Sequence, residues 1–357
     1  MSNFKKIFNN SRVLITGHTG FKGSWLSVWL KSLGASLIGI SDKVSSEPSH
    51  YSQISSVFDL DLRADIRDFK KLNEIIHANR PNFIFHLAAQ PLVRDSYINP
   101  YETFMTNTLG TINLLESLRH YQQNCNVIII TSDKSYENLE LDRGYHEDDK
   151  IGGYDPYSGS KGAAELAIRS YFHSFFAKDH QVKIAIARAG NVVGGGDWSR
   201  GRIVPDIIQS WQASRPLILR NPKSTRPWQH VLEPLHGYLL LAMHLENNNQ
   251  SVHGEAFNFG PAENENYNVS EVASALAKLL PEFSWKQSSG NLECLYESKL
   301  LSLNSKKALK YLDWSPKLTF DEIFLLTADW YKKFYSSKKS TILEITQQQI
   351  KDYSKKL

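Results

Sequence analysis

Along this chain the hydrophobic positions form short continuous runs, separated by stretches in which apolar residues return every three or four positions. The runs are Arg12-Val13-Leu14-Ile15-Thr16, Ser36-Leu37-Ile38-Gly39-Ile40, Phe83-Ile84-Phe85-His86-Leu87, Val127-Ile128-Ile129-Ile130 and Val182-Lys183-Ile184-Ala185-Ile186-Ala187. They are β-branched and lack polar alternation, the signature of strands buried on both faces of a parallel sheet. Between them Trp25, Leu26, Trp29, Leu30 and Leu33 fall at helical spacing and stop at Gly34. The same periodicity predicts helices over residues 68–79, 101–119 and 159–176, with Leu114, Leu115 and Leu118 facing inward in the second. Strand and helix thus alternate through the first half. This predicts an α/β fold built on a Rossmann-type doubly wound parallel sheet, with ligands at the carboxyl ends of the strands.

From Arg188 the texture changes to Gly194-Gly195-Gly196, scattered Pro, Trp and Arg, and shorter elements. We read residues 1–187 as a dinucleotide-binding domain and 188–340 mainly as a smaller α/β substrate-binding lobe, some of whose segments return to the first domain. Residues 341–357 read as a polar, Lys-rich tail, either a solvated helix or a frayed end.

Composition narrows the function classes. The 357 residues are 41% hydrophobic and 22% charged, which argues against extended disorder. A formal charge of +4 lacks the clustered basic face of a nucleic-acid binder, although it suits anionic substrates. Cys125 and Cys294 fit neither a disulfide framework nor a zinc site, and no metal site is expected. Residues 1–10 lack the apolar core of a secretory signal, and no apolar stretch approaches the roughly 18 residues of a membrane span. These features predict a cytoplasmic protein.

The candidate chemistry sits at the predicted strand ends. Thr131-Ser132-Asp133-Lys134 follows the 127–130 run, and Tyr157-Ser158-Gly159-Ser160-Lys161 follows at the start of a helix. Tyr157 and Lys161 are four residues apart and share a helix face. A neighbouring cation moves a phenol, with an ordinary pKa of roughly 10, toward neutral pH and makes it a usable base. Taken alone, such a pair also reads as two surface residues one turn apart.

Gly17-His18-Thr19-Gly20-Phe21-Lys22-Gly23 joins the first strand to the first helix, the context in which glycines admit a pyrophosphate to backbone N–H groups. Asp42, about 20 residues on, is a candidate for an adenosine ribose; Ser41 is the alternative, and Lys43 leaves a 2′-phosphate open. Asp65 and Ile66 are placed at the adenine, or Asp65 helps cap the helix that follows. Leu87, Ala88, Ala89 and Gln90 offer small residues beside which a flat ring could lie. His86 reads as a packed, hydrogen-bonded histidine. Asn107, unfavourable inside a helix, is expected to make a specific hydrogen bond. Arg188, Arg202, Arg220 and Arg226 are candidates for a diphosphate, to which guanidinium groups bind bidentately.

Together the glycine turn, Thr131-Ser132-Asp133-Lys134 and Tyr157-Ser158-Gly159-Ser160-Lys161 resemble the extended short-chain dehydrogenase/reductase superfamily. Gly194-Gly195-Gly196-Asp197-Trp198, Arg202-Ile203-Val204-Pro205-Asp206, Arg220-Asn221-Pro222 and the stretch from Arg226-Pro227-Trp228 to Glu233-Pro234 narrow the resemblance to its CDP-glucose 4,6-dehydratases, across residues 10–325. The resemblance implies an NAD-dependent lyase acting on CDP-glucose in deoxysugar synthesis. Tyr157 would take the 4-hydroxyl proton, with Lys161 lowering its pKa and holding the nicotinamide ribose and Ser132 bonding the 4-oxygen. Lys134 would take the C5 proton and protonated Asp133 would deliver a proton to the departing 6-hydroxyl. A structural ion pair between Lys134 and Asp133, or a charged Lys134 that stabilises the enolate, stand as other readings. Arg94, Asn191, Arg202, Arg226 and His230 would bind the nucleotide sugar. The superfamily commonly forms homodimers through a four-helix bundle, for which helices 101–119 and 159–176 are the candidates. A nucleotide-sugar 4-epimerase, a dehydratase of another nucleotide sugar, and an NAD-binding regulator are the competing functions.

Overall fold

The computed structural model describes residues 2–178, 180–262, 265–288, 300–336 and 341–357. Each apolar run is a strand. These are β1 (Arg12–Thr16), β2 (Ser36–Ser41), β3 (Leu60–Arg63), β4 (Phe83–His86), β5 (Cys125–Ile130), β6 (Val182–Ala189) and, from the second half of the chain, β7 (Ala256–Phe259). All pair in parallel, in the order β7-β6-β5-β4-β1-β2-β3. Successive residues of one strand enter opposite cores. Val13 and Ile15 join Trp25, Trp29, Phe83 and Phe85 on one face, and Leu14 joins Ile84, Leu114 and Val127 on the other. Burial on both faces is why the inner strands contain no polar alternation, whereas the edge strand β3, Leu-Asp-Leu-Arg, alternates and is largely exposed.

The sheet order reverses between β1 and β4, and the crevice outside the carboxyl ends at that point is where such folds bind ligands. The glycine turn leaves β1 there, the 87–90 segment leaves β4, and Thr131 leaves β5. The helix predicted over 101–119 begins at Pro100 and is continuous to Arg119, but Met105–Leu109 forms a π-helical turn around Asn107. Asp68, rather than Asp65, caps the Phe69–Asn79 helix, its side chain accepting from Lys71 N.

Residues 341–357 are not a solvated tail. Ile342–Ser354 is a helix with a Thr341/Glu344 capping box, and it buries Ile342, Ile345, Thr346, Gln349, Ile350 and Tyr353. Those positions fall at helical spacing amid polar residues, so one face docks while the other stays charged. The helix lies against Phe21–Ser32, with Tyr353 edge-on to Trp29 at 5.8 Å. The Tyr353 hydroxyl donates to buried Glu233 at 2.6 Å. Cys125 is buried and reduced, and Cys294 lies outside the described residues. Among the described residues no helix is long and apolar enough to cross a membrane.

Candidate active site

The glycine turn is built for close backbone approach. Gly17 has φ +74°, and a β-carbon there would sit 2.7 Å from Ala88 N; one on Gly23 would sit 2.3 Å from the Gly17 carbonyl oxygen. Gly20 caps the Phe21–Ser32 helix with no side-chain hydrogen bond, so no capping side chain occupies the first backbone N–H groups of that helix. Thr19 donates its hydroxyl to Lys43 O at 2.8 Å, and its N–H reaches Ser41 Oγ at 3.5 Å. Ser41 is buried, whereas Asp42 is half-exposed and its carboxylate accepts from Lys43 N. Asp65 is held by Arg67, which grips it through Nε and Nη2 and keeps its carboxyl below the usual range. Ile66 is buried beside Gly110.

Beyond β4, Ala88 N donates to Thr16 Oγ1 at 3.2 Å. Asn107 clamps Gln90 on both sides, accepting from its N at 2.8 Å and donating to its O at 3.1 Å, and also donates to Ser160 Oγ at 2.9 Å. This is the specific role expected of it, and the π-helical turn presents it, as such turns often do at functional sites. His86 is buried between the hydroxyls of Thr16 and Thr111, and burial holds its imidazole neutral with a pKa of about 3.

Asp155 caps the Pro156–Tyr171 helix and Pro156 opens it, which places Tyr157 and Lys161 on one buried face. Ser132 begins a 3₁₀ turn over Asp133–Ser135; its hydroxyl accepts from Lys134 N at 3.2 Å and donates to Asp133 Oδ1 at 2.9 Å. The other carboxylate oxygen of Asp133 is buried with no hydrogen-bond partner among the described residues. Burial raises the Asp133 pKa, opposed by the charges of Lys134, Lys22 and Arg226 and by the Ser132 hydroxyl. A raised pKa suits a group that must arrive protonated. No ion pair joins Lys134 to Asp133 among the described residues, and Lys134 instead lines a small cavity with Tyr136, Tyr154, Asp155 and Ser158.

Tyr157 departs from expectation. Its pKa is raised, because burial outweighs the Ser132 hydrogen bond and the Arg202 charge that oppose it. Lys161 is itself brought down to about 8, burial outweighing the Glu165 charge. In the protein alone the ammonium therefore does not make the phenol a base.

The arginines divide. Arg202 pairs with Asp197 at 2.9 Å and its charge also acts on Tyr157 and on Lys22, whose pKa burial lowers to about 7. Arg226 is buried and its charge acts on Asp133. Arg94 and Arg220 both act on Asp206. Arg188 is withdrawn from any phosphate: it is buried in a bidentate pair with Glu165. Asn191 is half-buried and its carbonyl accepts from Gln229 N. His230, expected at the substrate, is fully buried edge-on to Trp25, with Nε2 unpartnered among the described residues and burial lowering its pKa to about 3.

The turn, the Tyr157/Lys161 helix and the glycine cradle therefore converge on one crevice. The sequence profile of the family described as GDP-mannose 4,6 dehydratase matches residues 14–326. The chain belongs to that family. Within it, the chain is 40% identical to CDP-glucose 4,6-dehydratase of Salmonella typhimurium, an alignment covering 98% of each sequence. It is 26% identical to CDP-paratose 2-epimerase of Salmonella typhi, over 89% of this chain and 98% of that one. Among solved structures, dTDP-glucose 4,6-dehydratase from Bacillus anthracis in complex with NAD superposes with a TM-score of 0.73 at 21% identity, over 90% of this chain and 97% of that one. UDP-glucose 4-epimerase of Thermotoga maritima with UDP-glucose gives 0.75 at 21% identity, over 91% and 100%. The fold is thus shared by dehydratases and epimerases, while family membership places this chain among the dehydratase enzymes.

Proposed function

We propose that this enzyme converts CDP-glucose to CDP-4-dehydro-6-deoxyglucose with NAD used catalytically. The observation that carries the reading is Asp133: a buried carboxyl group of raised pKa, on the same turn as Ser132 and Lys134 and electrostatically coupled to Tyr157. A 4-epimerase needs no such acid. The near-full-length likeness to a CDP-glucose dehydratase supports the choice of substrate.

The cradle at Gly17 and Gly23, which a β-carbon would fill, fits a dinucleotide, with Thr19, Phe21 and Lys22 beside it, and the Ala88–Gln90 segment fits its far end. NAD, when bound, would supply the hydride acceptor for C4 and the donor for C6, and its positive charge would add to that of Arg202 near Tyr157. Tyr157 then takes the 4-hydroxyl proton while Ser132 hydrogen-bonds the 4-oxygen. The ketone acidifies C5–H, Lys134 takes that proton, and Asp133 protonates the 6-oxygen as the C6–O bond breaks and water leaves. A proton returned at C5 restores the count, so the net change is the loss of one water. We assign Arg202 and Arg226 to the diphosphate, with Arg94 and Asn191 at its margin; His230 shapes the wall behind the Gly194 turn. A cytoplasmic location fits a nucleotide-sugar substrate.

The test is mass spectrometry of CDP-, dTDP-, UDP- and GDP-glucose incubated with the enzyme in heavy water. The expected product is dehydrated CDP-sugar carrying one solvent deuterium. A C4 stereoisomer of unchanged mass overturns the reading in favour of an epimerase, and inertness toward every sugar favours a regulator.

We also assign a homodimer to the face that exposes Ile98, Tyr101 and Leu166, at 74%, 70% and 58% of their surface, on the adjoining helices 93–98, 100–119 and 156–171. Leu166→Asp is expected to convert a dimer to a monomer in light scattering. An unchanged mass places the interface elsewhere.

A further inference from the structure

Thr131 and Ser135 bracket the Ser132-Asp133-Lys134 turn, and both hydroxyls meet one carboxylate. Thr131 Oγ1 donates to Glu165 Oε1 at 2.5 Å, and Ser135 Oγ lies 3.4 Å from the same oxygen. Glu165 is on the helix that carries Tyr157 and Lys161, one turn past Lys161. Arg188, near the end of β6, holds its other side, with Nε 2.8 Å from Oε1 and Nη2 2.8 Å from Oε2. The remaining Arg188 nitrogen, Nη1, donates to the hydroxyl of Tyr136 at 2.7 Å and to Glu147 O at 3.0 Å. Tyr136 directly follows the turn, so the two charged groups tie its start and its exit to the helix and to β6.

Both side chains are at most 5% exposed; burial pushes the Glu165 pKa up, but Arg188 and the Thr131 and Ser135 hydroxyls together bring it below the usual value. Buried ion pairs are a weak source of stability, since apolar residues of equal size often serve as well. What a bidentate pair supplies instead is a fixed direction and distance.

We propose that the Glu165–Arg188 pair is a positioning device for the elimination step, setting the spacing between Asp133 and Lys134 on one side and Tyr157 on the other. The inference rests on the dehydratase reading. Oxidation at C4 draws one group from the turn, Ser132, whereas elimination draws two, so loosening the turn slows the second step more than the first.

Thr131→Val tests this most cleanly. It cuts the tie to Glu165 at nearly constant volume and leaves the buried charges paired, whereas removing one charge would destabilise the fold. Thr131→Ser restores the hydroxyl. Wild-type enzyme is first shown to dehydrate CDP-glucose; if it does not, the functional reading fails and not this one. The valine variant is then expected to lose about 10- to 100-fold in kcat, the cost of a misplaced group, with KM unchanged. Acid-quenched mixtures trapped with borodeuteride are expected to contain the 4-ketone that still bears its 6-hydroxyl, and the serine variant to match wild type. The double change Glu165→Gln with Arg188→Met removes both charges together and is expected to deepen the same defect. A valine variant with a lower melting temperature but wild-type kcat and no trapped ketone overturns the proposal, as does an equal slowing of both steps.

Discussion

Tyr157→Phe is expected to lower kcat by about 10²- to 10⁴-fold, the range for losing a positioned acid or base. The ring is 8% exposed and packed, so phenylalanine keeps the fold and removes only the hydroxyl that Ser132 contacts. Because burial raises the phenol's pKa in the protein alone, the hydroxyl becomes basic only in the loaded site, and the loss appears in kcat with KM nearly unchanged. Steady-state kinetics with CDP-glucose decide it; near-wild-type turnover would assign the base to another group. Dispersing Lys161 from this role is a separate matter, since it stands at about 8 and remains mostly charged at neutral pH.

Asp133→Asn produces the second large effect, and a different one. The substitution is isosteric, and the carboxylate oxygen it alters has no hydrogen-bond partner among the described residues, so stability is expected to hold. C4 oxidation continues while elimination falls by about 10²- to 10⁴-fold. The expected observation is a trapped 4-ketone retaining its 6-hydroxyl in place of the 6-deoxy product. Since burial raises the pKa, the acid form persists to higher pH than in an ordinary carboxyl group, and wild-type elimination declines as pH rises through that raised value. The asparagine variant loses this alkaline decline. A variant that still dehydrates, with the wild-type pH profile, would remove Asp133 from the acid role.

Much of this was legible in the residues themselves. Uninterrupted β-branched runs marked β1, β2, β4, β5 and β6, because a strand covered on both faces leaves no polar alternation to confuse. The glycine turn and the Tyr157/Lys161 face followed from spacing alone. Depth was harder to read. Arg188 looked like a phosphate ligand because a sequence shows charge, and only the fold shows Glu165 opposite it across two elements. Glu165 was nevertheless signalled: four residues past Lys161, it had to share the buried face of that helix. The direction of the Tyr157 shift was missed for the same reason, since burial outweighs the Ser132 hydrogen bond and the Arg202 charge. In residues 341–357 an abundance of Lys and Gln hid an apolar face at helical spacing.

That docked helix bears on the order of events during synthesis. The Phe21–Ser32 helix, which opens at the glycine turn, is made early, yet Tyr353 reaches its Trp29 only when residues 342–354 have emerged. His50 likewise finds Thr346 across 296 residues of chain. Such distant closures are slow to form. A growing chain on the ribosome thus carries its nucleotide cradle through elongation with this face of the supporting helix uncovered, and the cradle gains its brace only once residues 342–354 have emerged.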